Sequence, residues 1–360
     1  MEQTKKRAGY IDVAKGLGML AVIWGHLMYV TVEPTHKFVY GFHIPLFFFM
    51  AGMVFNPAKY TFGNFVKRRA RTLLLPYVIF SVLSWALWAV CKAVLSGGAD
   101  AQTLLFPLWQ TVIAQGSKGF LIHNAALWYV TCLFVTELIS YFLCKLKPVW
   151  NIVLSVGFAV LGWAMLTVDV GFDFTLLPWN IEVACSAVLF YTSGNLFTKY
   201  ATLNGIPETV GKKPWLWGIV CAVLTAVLIV GSQLNGHVSM GSDSLGNSTL
   251  AFYAIGFCGV ASTLIFSALL AKIDEKSKLV KGIEWIGRNS FYCMALHLPV
   301  KEVVMVFANR IGVTNEMAGS TILHCGWTFV LTMIGTIIAV AVANKVVAFV
   351  KKPHKQSQNA

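Results

Sequence analysis

Charge is the scarcest property of this sequence of 360 residues: Asp, Glu, Lys and Arg together make up 12% of it, about half their share in an ordinary soluble domain. Acidic groups are rarer still, 15 against 28 Lys and Arg, while 57% of residues are hydrophobic. A chain so composed cannot clothe a surface in water, which excludes a soluble globular protein. Paired cysteines are also missing. Eight Cys residues, at 91, 132, 144, 185, 221, 258, 293 and 325, fall in or beside apolar runs without a C-x-x-C pair. They read as small apolar residues, and neither a disulfide framework nor a metal site is expected. No internal repeat or inverted symmetry is visible, which counts against a repeat-built transporter. The longest polar interval, 97–123, is interrupted by TLLFPLWQTVIA and is too short to fold alone. Gly16-Leu17-Gly18 lacks the remainder of a phosphate loop.

What is present is apolar length. Runs at 10–30, 38–55, 72–94, 126–144, 149–167, 180–198, 214–232, 249–271, 290–309 and 324–348 each approach the roughly 20 residues that cross a hydrocarbon core. The expected fold is all-α: a polytopic integral membrane protein with about ten transmembrane helices, in one domain over 1–360 that ends in a basic polar tail, 349–360. Placing the N-terminus in the cytoplasm puts 22 of the 28 Lys and Arg on that side, with Lys37, Lys118 and Arg310 opposite and Lys15, Lys92 and Lys301 in the spans or at their ends. That asymmetry is the positive-inside pattern, so both termini are expected in the cytoplasm. The net charge of +13 therefore orients the chain toward anionic headgroups of the lipid bilayer, and no nucleic-acid partner is expected. The first run lacks a small-residue cleavage site and reads as a retained helix. The segment 97–125 is expected to hold an interfacial or re-entrant helix.

Within this apolar background, DVAKGLGMLAVIWGH at 12–26 carries three ionisable groups. Burying a charge near the bilayer centre costs at least about 2.5 kcal/mol, so such groups are functional candidates. Lys15 and His26 are eleven positions apart, which on a helix leaves them about 20° apart in azimuth and about 16 Å apart in height. Asp12 lies one turn before Lys15 and can pair with it. On the following, antiparallel run His43 reaches a similar depth to His26. Later runs add Trp128, an embedded Glu137, and His297 with Lys301 one turn further on. Taken singly, each could be structural: a membrane His that bonds a neighbouring helix, an Asp–Lys pair, a Glu held by another span.

Together and in order, these stretches resemble the membrane acyltransferase family 3, in its branch of stand-alone sugar O-acetyltransferases. YIDVAKGLGMLAVIWGH fits the family's opening Asp and its basic residue, ten-residue gap and His. FHIPLFFFMAGMVF is similar to its F-H-x-P-L-F-F-F-x-S-G block, FVKRRARTLLLPY to its R-x-x-R element at Arg68 and Arg71, and WIGRNSFYCMALHLP to its late G-x-x-S…H segment ending at His297. ALWYV at 127–131 is a fifth, weaker match. There are two departures: Lys15 stands where Arg is usual, which keeps the cation but not a bidentate fork, and Ala51 stands in place of the Ser.

The resemblance implies a membrane-embedded O-acyltransferase that moves an acetyl or other short acyl group from cytoplasmic acyl-CoA to a hydroxyl of a glycan, a lipid-linked sugar or a related acceptor. Acyl-CoA is then a donor substrate, no cofactor is permanently bound, and the expected location is a bacterial cell membrane. Lys15, Arg68 and Arg71 are expected to hold the donor phosphates and His26 to act as general base. Asp12, His43, Trp128 and His297 are expected to support the site, with His43 or His297 orienting the acceptor or stabilising the oxyanion. A proton-coupled transporter, or a flippase of a polar or lipid-linked substrate, would also place Asp, Lys and His among ten helices. It has no need of the Arg68–Arg71 pair.

Overall fold

A computed structural model describes residues 9–27, 33–96, 100–117, 120–169, 171–201, 205–242, 244–273, 277–310 and 321–350. The N-terminal cations Lys5, Lys6 and Arg7, Lys118, and the tail from 351 lie outside the described residues. The order is α1 (Gly9–Leu27), α2 (Glu33–Tyr40), α3 (His43–Met53), α4 (Phe62–Arg69), a π-helical turn (Ala70–Leu74), α5 (Leu75–Ser96), α6 (Ala101–Ile113), α7 (Trp128–Leu143), α8 (Pro148–Thr167), α9 (Ile181–Tyr200), α10 (Gly205–Lys212) and α11 (Pro214–Asn235). There follow a two-residue hairpin, β1 (Val238–Ser239) with β2 (Ser244–Leu245), and then α12 (Thr249–Ile273), α13 (Lys278–Arg288), α14 (Ser290–Arg310) and α15 (Thr321–Val350). The fold is that of an all-α, multi-pass membrane protein. Among the described residues, seven helices are long and apolar enough to cross a membrane.

The expected second span, 38–55, is not one helix. A turn at Gly41–Phe42 divides it into α2 and α3, and α3, with eleven residues, reaches only about 16 Å. Pro45 is the third residue of α3, where its missing N–H removes no helical bond. The expected helix within 97–125 is α6. Asp100 caps it by accepting from the Thr103 amide at 2.6 Å, and a left-handed Ala114 (φ 55°) ends it. Its thirteen residues are too few to span.

The bundle is arranged by polarity. The apolar windows of α11 and α15 are each only 17% buried, whereas that of α7 is 72% buried. The short or more polar helices α1, α3 and α9 lie inside, enclosed by the others. Helices in a bilayer associate through close packing rather than an apolar driving force, and two glycine crossings set the interior. Gly52 of α3 and Gly194 of α9 face each other's backbone: a Cβ on Gly52 would lie 1.8 Å from the Tyr191 carbonyl oxygen, and one on Gly194 2.0 Å from that of Phe49. Gly16 of α1 and Gly287 of α13 do the same, at 2.1 Å from the Ile283 oxygen and 1.7 Å from the Asp12 oxygen. No side chain fits at either crossing.

Candidate active site

The chain through α2 and α3 runs antiparallel to α1, with Gly25 against Tyr40 of α2 and Gly18 against Leu46 and Phe47 of α3. A cavity of about 460 Å³ follows their shared face. Lys15, Ala51, Val54 and Arg69 line one end of it. His26, Tyr40 and His43 line the other, which continues to Gly116, Trp128 and the hairpin residues Ser239–Ser242. Lys15 and His26 thus meet one continuous space, at the separation of about 16 Å that their helical register requires. Between them the wall is apolar and aromatic, with Met19, Val22, Phe47, Tyr129, Leu133 and Met294.

At the histidine end, His43 opens α3. Its Nδ1–H donates to the Val39 carbonyl at 2.8 Å across the break from α2, because a carbonyl can only accept. In the neutral ring Nε2 therefore carries a lone pair. The ring stands edge-on to Tyr40 at 4.8 Å between centres. His26 faces the cavity half-buried, with its main-chain carbonyl held by Lys301 Nζ at 3.1 Å. Beside it, 5.2 Å away between ring centres, sits His297, which is 1% exposed and stands behind the cavity wall formed by Ser290, Phe291 and Met294 of the same helix. Trp128 begins α7 with its indole against Gly116 and Gly241, where a Cβ would come within 2.9 Å and 2.6 Å of the ring. Asn180 holds that wall, its Oδ1 accepting from the Gly116 amide at 2.9 Å and its Nδ2 donating to the Ala114 carbonyl at 2.8 Å.

The basic end departs from the sequence expectation. Arg68 and Arg71 are exposed and neither lines the cavity; Arg68 lies over the Tyr60 ring at 5.2 Å. The guanidinium that reaches the cavity is Arg69, which forms a two-pronged ion pair with buried Glu137 of α7. Spacing explains the exchange. Arg68 and Arg71, three residues apart, share the outer face, and Arg69 is turned about 100° from Arg68, toward the bundle. The sequence did carry a signal for Arg69: an embedded carboxylate at Glu137 demands a cation. Asp12 is 1% exposed, does not line the cavity, and has an ion pair with Arg288 of α13, Nε to Oδ2 3.4 Å. Its position ties α1 to α13 beside the Gly16–Gly287 crossing.

Chemically, the site offers a cationic end, an apolar channel and an imidazole at the far end. A family profile described as an acyltransferase domain matches residues 8–343. Nodulation protein NolL of Mesorhizobium japonicum is 23% identical over 240 residues, which is 63% of this chain and 57% of that protein. The chain thus aligns with little more than half the length of this curated relative. No solved structure matches. With the profile covering nearly the whole sequence, this multi-pass membrane protein belongs to the acyltransferase family 3.

Proposed function

We propose that the protein transfers a short acyl group, acetyl foremost, from acyl-CoA at the basic end of the cavity to a hydroxyl of a glycan or lipid-linked sugar at the histidine end. The observation that carries this reading is the continuous cavity with Lys15 and Arg69 at one end and His26 and His43 at the other. The pantetheine arm and a small acyl group are assigned to this cavity of about 460 Å³, and the nucleotide to the space outside it. The nucleotide phosphates then stay at the cytoplasmic surface, where exposed Arg68 and Arg71 meet them, and Lys15 holds the arm as it enters. An extended arm on the α1 face brings the thioester carbonyl to His26.

His26 takes the proton of the acceptor hydroxyl as its oxygen attacks that carbonyl. An oxygen–carbon bond forms, the carbon–sulfur bond breaks, and the proton passes from His26 to the leaving thiolate. His43, with Nδ1–H committed to Val39, has a lone pair and no N–H for the cavity when neutral. It is therefore suited to receive the acceptor hydroxyl rather than to stabilise an oxyanion. His297 is limited in the same way. Acetyl as the group, a glycan as the acceptor and a bacterial cell membrane as the location belong to this proposal.

Vesicles carrying the purified protein, given labelled acetyl-CoA and a membrane glycan fraction, test it. His26→Ala should abolish transfer with donor affinity retained, and Lys15→Ala should mainly weaken donor binding. Near-normal transfer by His26→Ala sinks the catalytic assignment, and unchanged donor affinity after replacing both Arg68 and Arg71 removes theirs. A cavity that touches both a cationic and a histidine-lined end also suits a proton-coupled transporter or flippase. That reading requires substrate movement across sealed vesicles without acyl-CoA.

A further inference from the structure

His297 Nδ1 lies 2.8 Å from the Met294 carbonyl oxygen and 3.1 Å from that of Cys293. Both are acceptors, so Nδ1 carries the ring proton and Nε2 of the neutral ring is left with a lone pair. That Nε2 is buried, with no hydrogen-bond partner among the described residues. An acceptor left unmet in such surroundings costs about 1–3 kcal/mol. The ring beside it is His26, with centres 5.2 Å apart and planes inclined by 43°. Ring nitrogens stand roughly 1 Å from the centre, so at this separation two that face each other lie about 3 Å apart, within hydrogen-bonding range. Helix α14 also holds the main chain of His26 through Lys301, and is itself held by Asn124 Nδ2, which donates to the Ala295 carbonyl at 2.8 Å.

Resting on the assignment of His26 as general base, the geometry points to His297 as its positioning residue: Nε2 of His297 accepts the His26 N–H turned away from the cavity. The bond fixes the His26 tautomer, so the lone pair of its other ring nitrogen faces the acceptor hydroxyl. When His26 takes the hydroxyl proton, the same bond becomes charge-assisted and strengthens. It then holds the imidazolium until the proton moves to the departing thiolate. The roles are not interchangeable, because His26 lines the cavity and His297 does not.

The test uses full-length protein in vesicles with labelled acetyl-CoA, and compares His297→Leu, which removes the acceptor atom, with His297→Gln, which can present an amide oxygen in its place. Partners that orient a metal-binding His typically contribute about 10–100-fold, and an effect of that order is expected for a partner that orients His26. The Leu variant should therefore lose that much kcat, with KM for the donor and the melting temperature unchanged, and the Gln variant should recover most of it. Wild-type kcat in the Leu variant overturns the proposal while the His26 assignment stands, provided His26→Ala is inactive. Equal losses in Leu and Gln assign His297 a structural role and overturn it as well. Normal transfer by His26→Ala brings down the general-base reading itself.

Discussion

Gly52 sits in the block FHIPLFFFMAGMVF, and the α3–α9 crossing gives it a physical task that can be broken with one methyl group. In Gly52→Ala the new Cβ would stand 1.8 Å from the Tyr191 carbonyl oxygen and 2.7 Å from its carbon, about 1.6 Å inside the nearest ordinary non-bonded separation. The obstacle is backbone, so no rotamer change relieves it and the two helices must part. Overpacking of this kind costs about 1–3 kcal/mol. The displacement also reaches the site, because α3 carries His43, Phe47 and Ala51 along the cavity wall. A misplacement of about 1 Å among reacting groups costs on the order of 100-fold in rate. Melting in detergent and the rate of acyl transfer should both fall in Gly52→Ala. Gly194→Ala, which meets the Phe49 carbonyl from the opposite side, should behave alike, and the two losses should not add, since they open one crossing. Gly157 of α8, where an added methyl would have no atom within 4 Å, is the control and should tolerate Ala. A Gly52→Ala protein with the melting temperature and rate of wild type would refute the argument.

Three further outcomes follow from named contacts. Arg69→Leu strands the carboxylate of Glu137, whose side chain is 2% exposed, and should destabilise the protein by about 3–5 kcal/mol; Arg69→Leu with Glu137→Leu should regain much of this, and a double variant as unstable as the single one would contradict it. His123 precedes α7, bonds Thr111 Oγ1 through Nε2 at 3.2 Å, and is held down to about 4 by burial, from an ordinary 6.5. The unfolded chain therefore takes up a proton that the fold refuses. Stability should be complete above about 6.5 and fall as pH drops toward about 4, and His123→Gln should lessen the loss in melting temperature between pH 7.5 and 5. Gly241→Ala places a methyl 2.6 Å from the Trp128 indole. Displacing that ring at the histidine end should slow transfer with donor affinity unchanged, and a weakened donor affinity instead would relocate the donor.

What could be read from sequence and what could not divide along one line: helical periodicity tells which residues share a face, and is silent about what that face meets. Lys15 and His26 could be placed on one face of α1 from their register alone, and a single cavity does meet both. That Glu137 needs a cation could be read, but which residue across the helices supplies each partner could not. Asp12 has Arg288, and Glu137 has Arg69, and neither pair lies within one helix. The break in the second span was nearer to legible, since Gly41 and Pro45 punctuate it, but a long apolar run outweighed them. Hydropathy also works against the site itself. A helix can carry Asp, Lys, His or Glu inside a bilayer only where neighbours shield those groups from lipid; of the enclosed helices, α1, α3 and α9 fall short as candidate spans, α3 through having only eleven residues, while α7 with its Glu137 does not. The cavity draws on both kinds of helix: Lys15, His26 and His43 stand on α1 and α3, and Trp128, Tyr129, Phe291 and Met294 on the candidate spans α7 and α14. Short or charge-bearing enclosed helices in a chain otherwise so apolar are therefore a partial pointer to the site, and here α1 and α3 supply the face that carries His26 and His43.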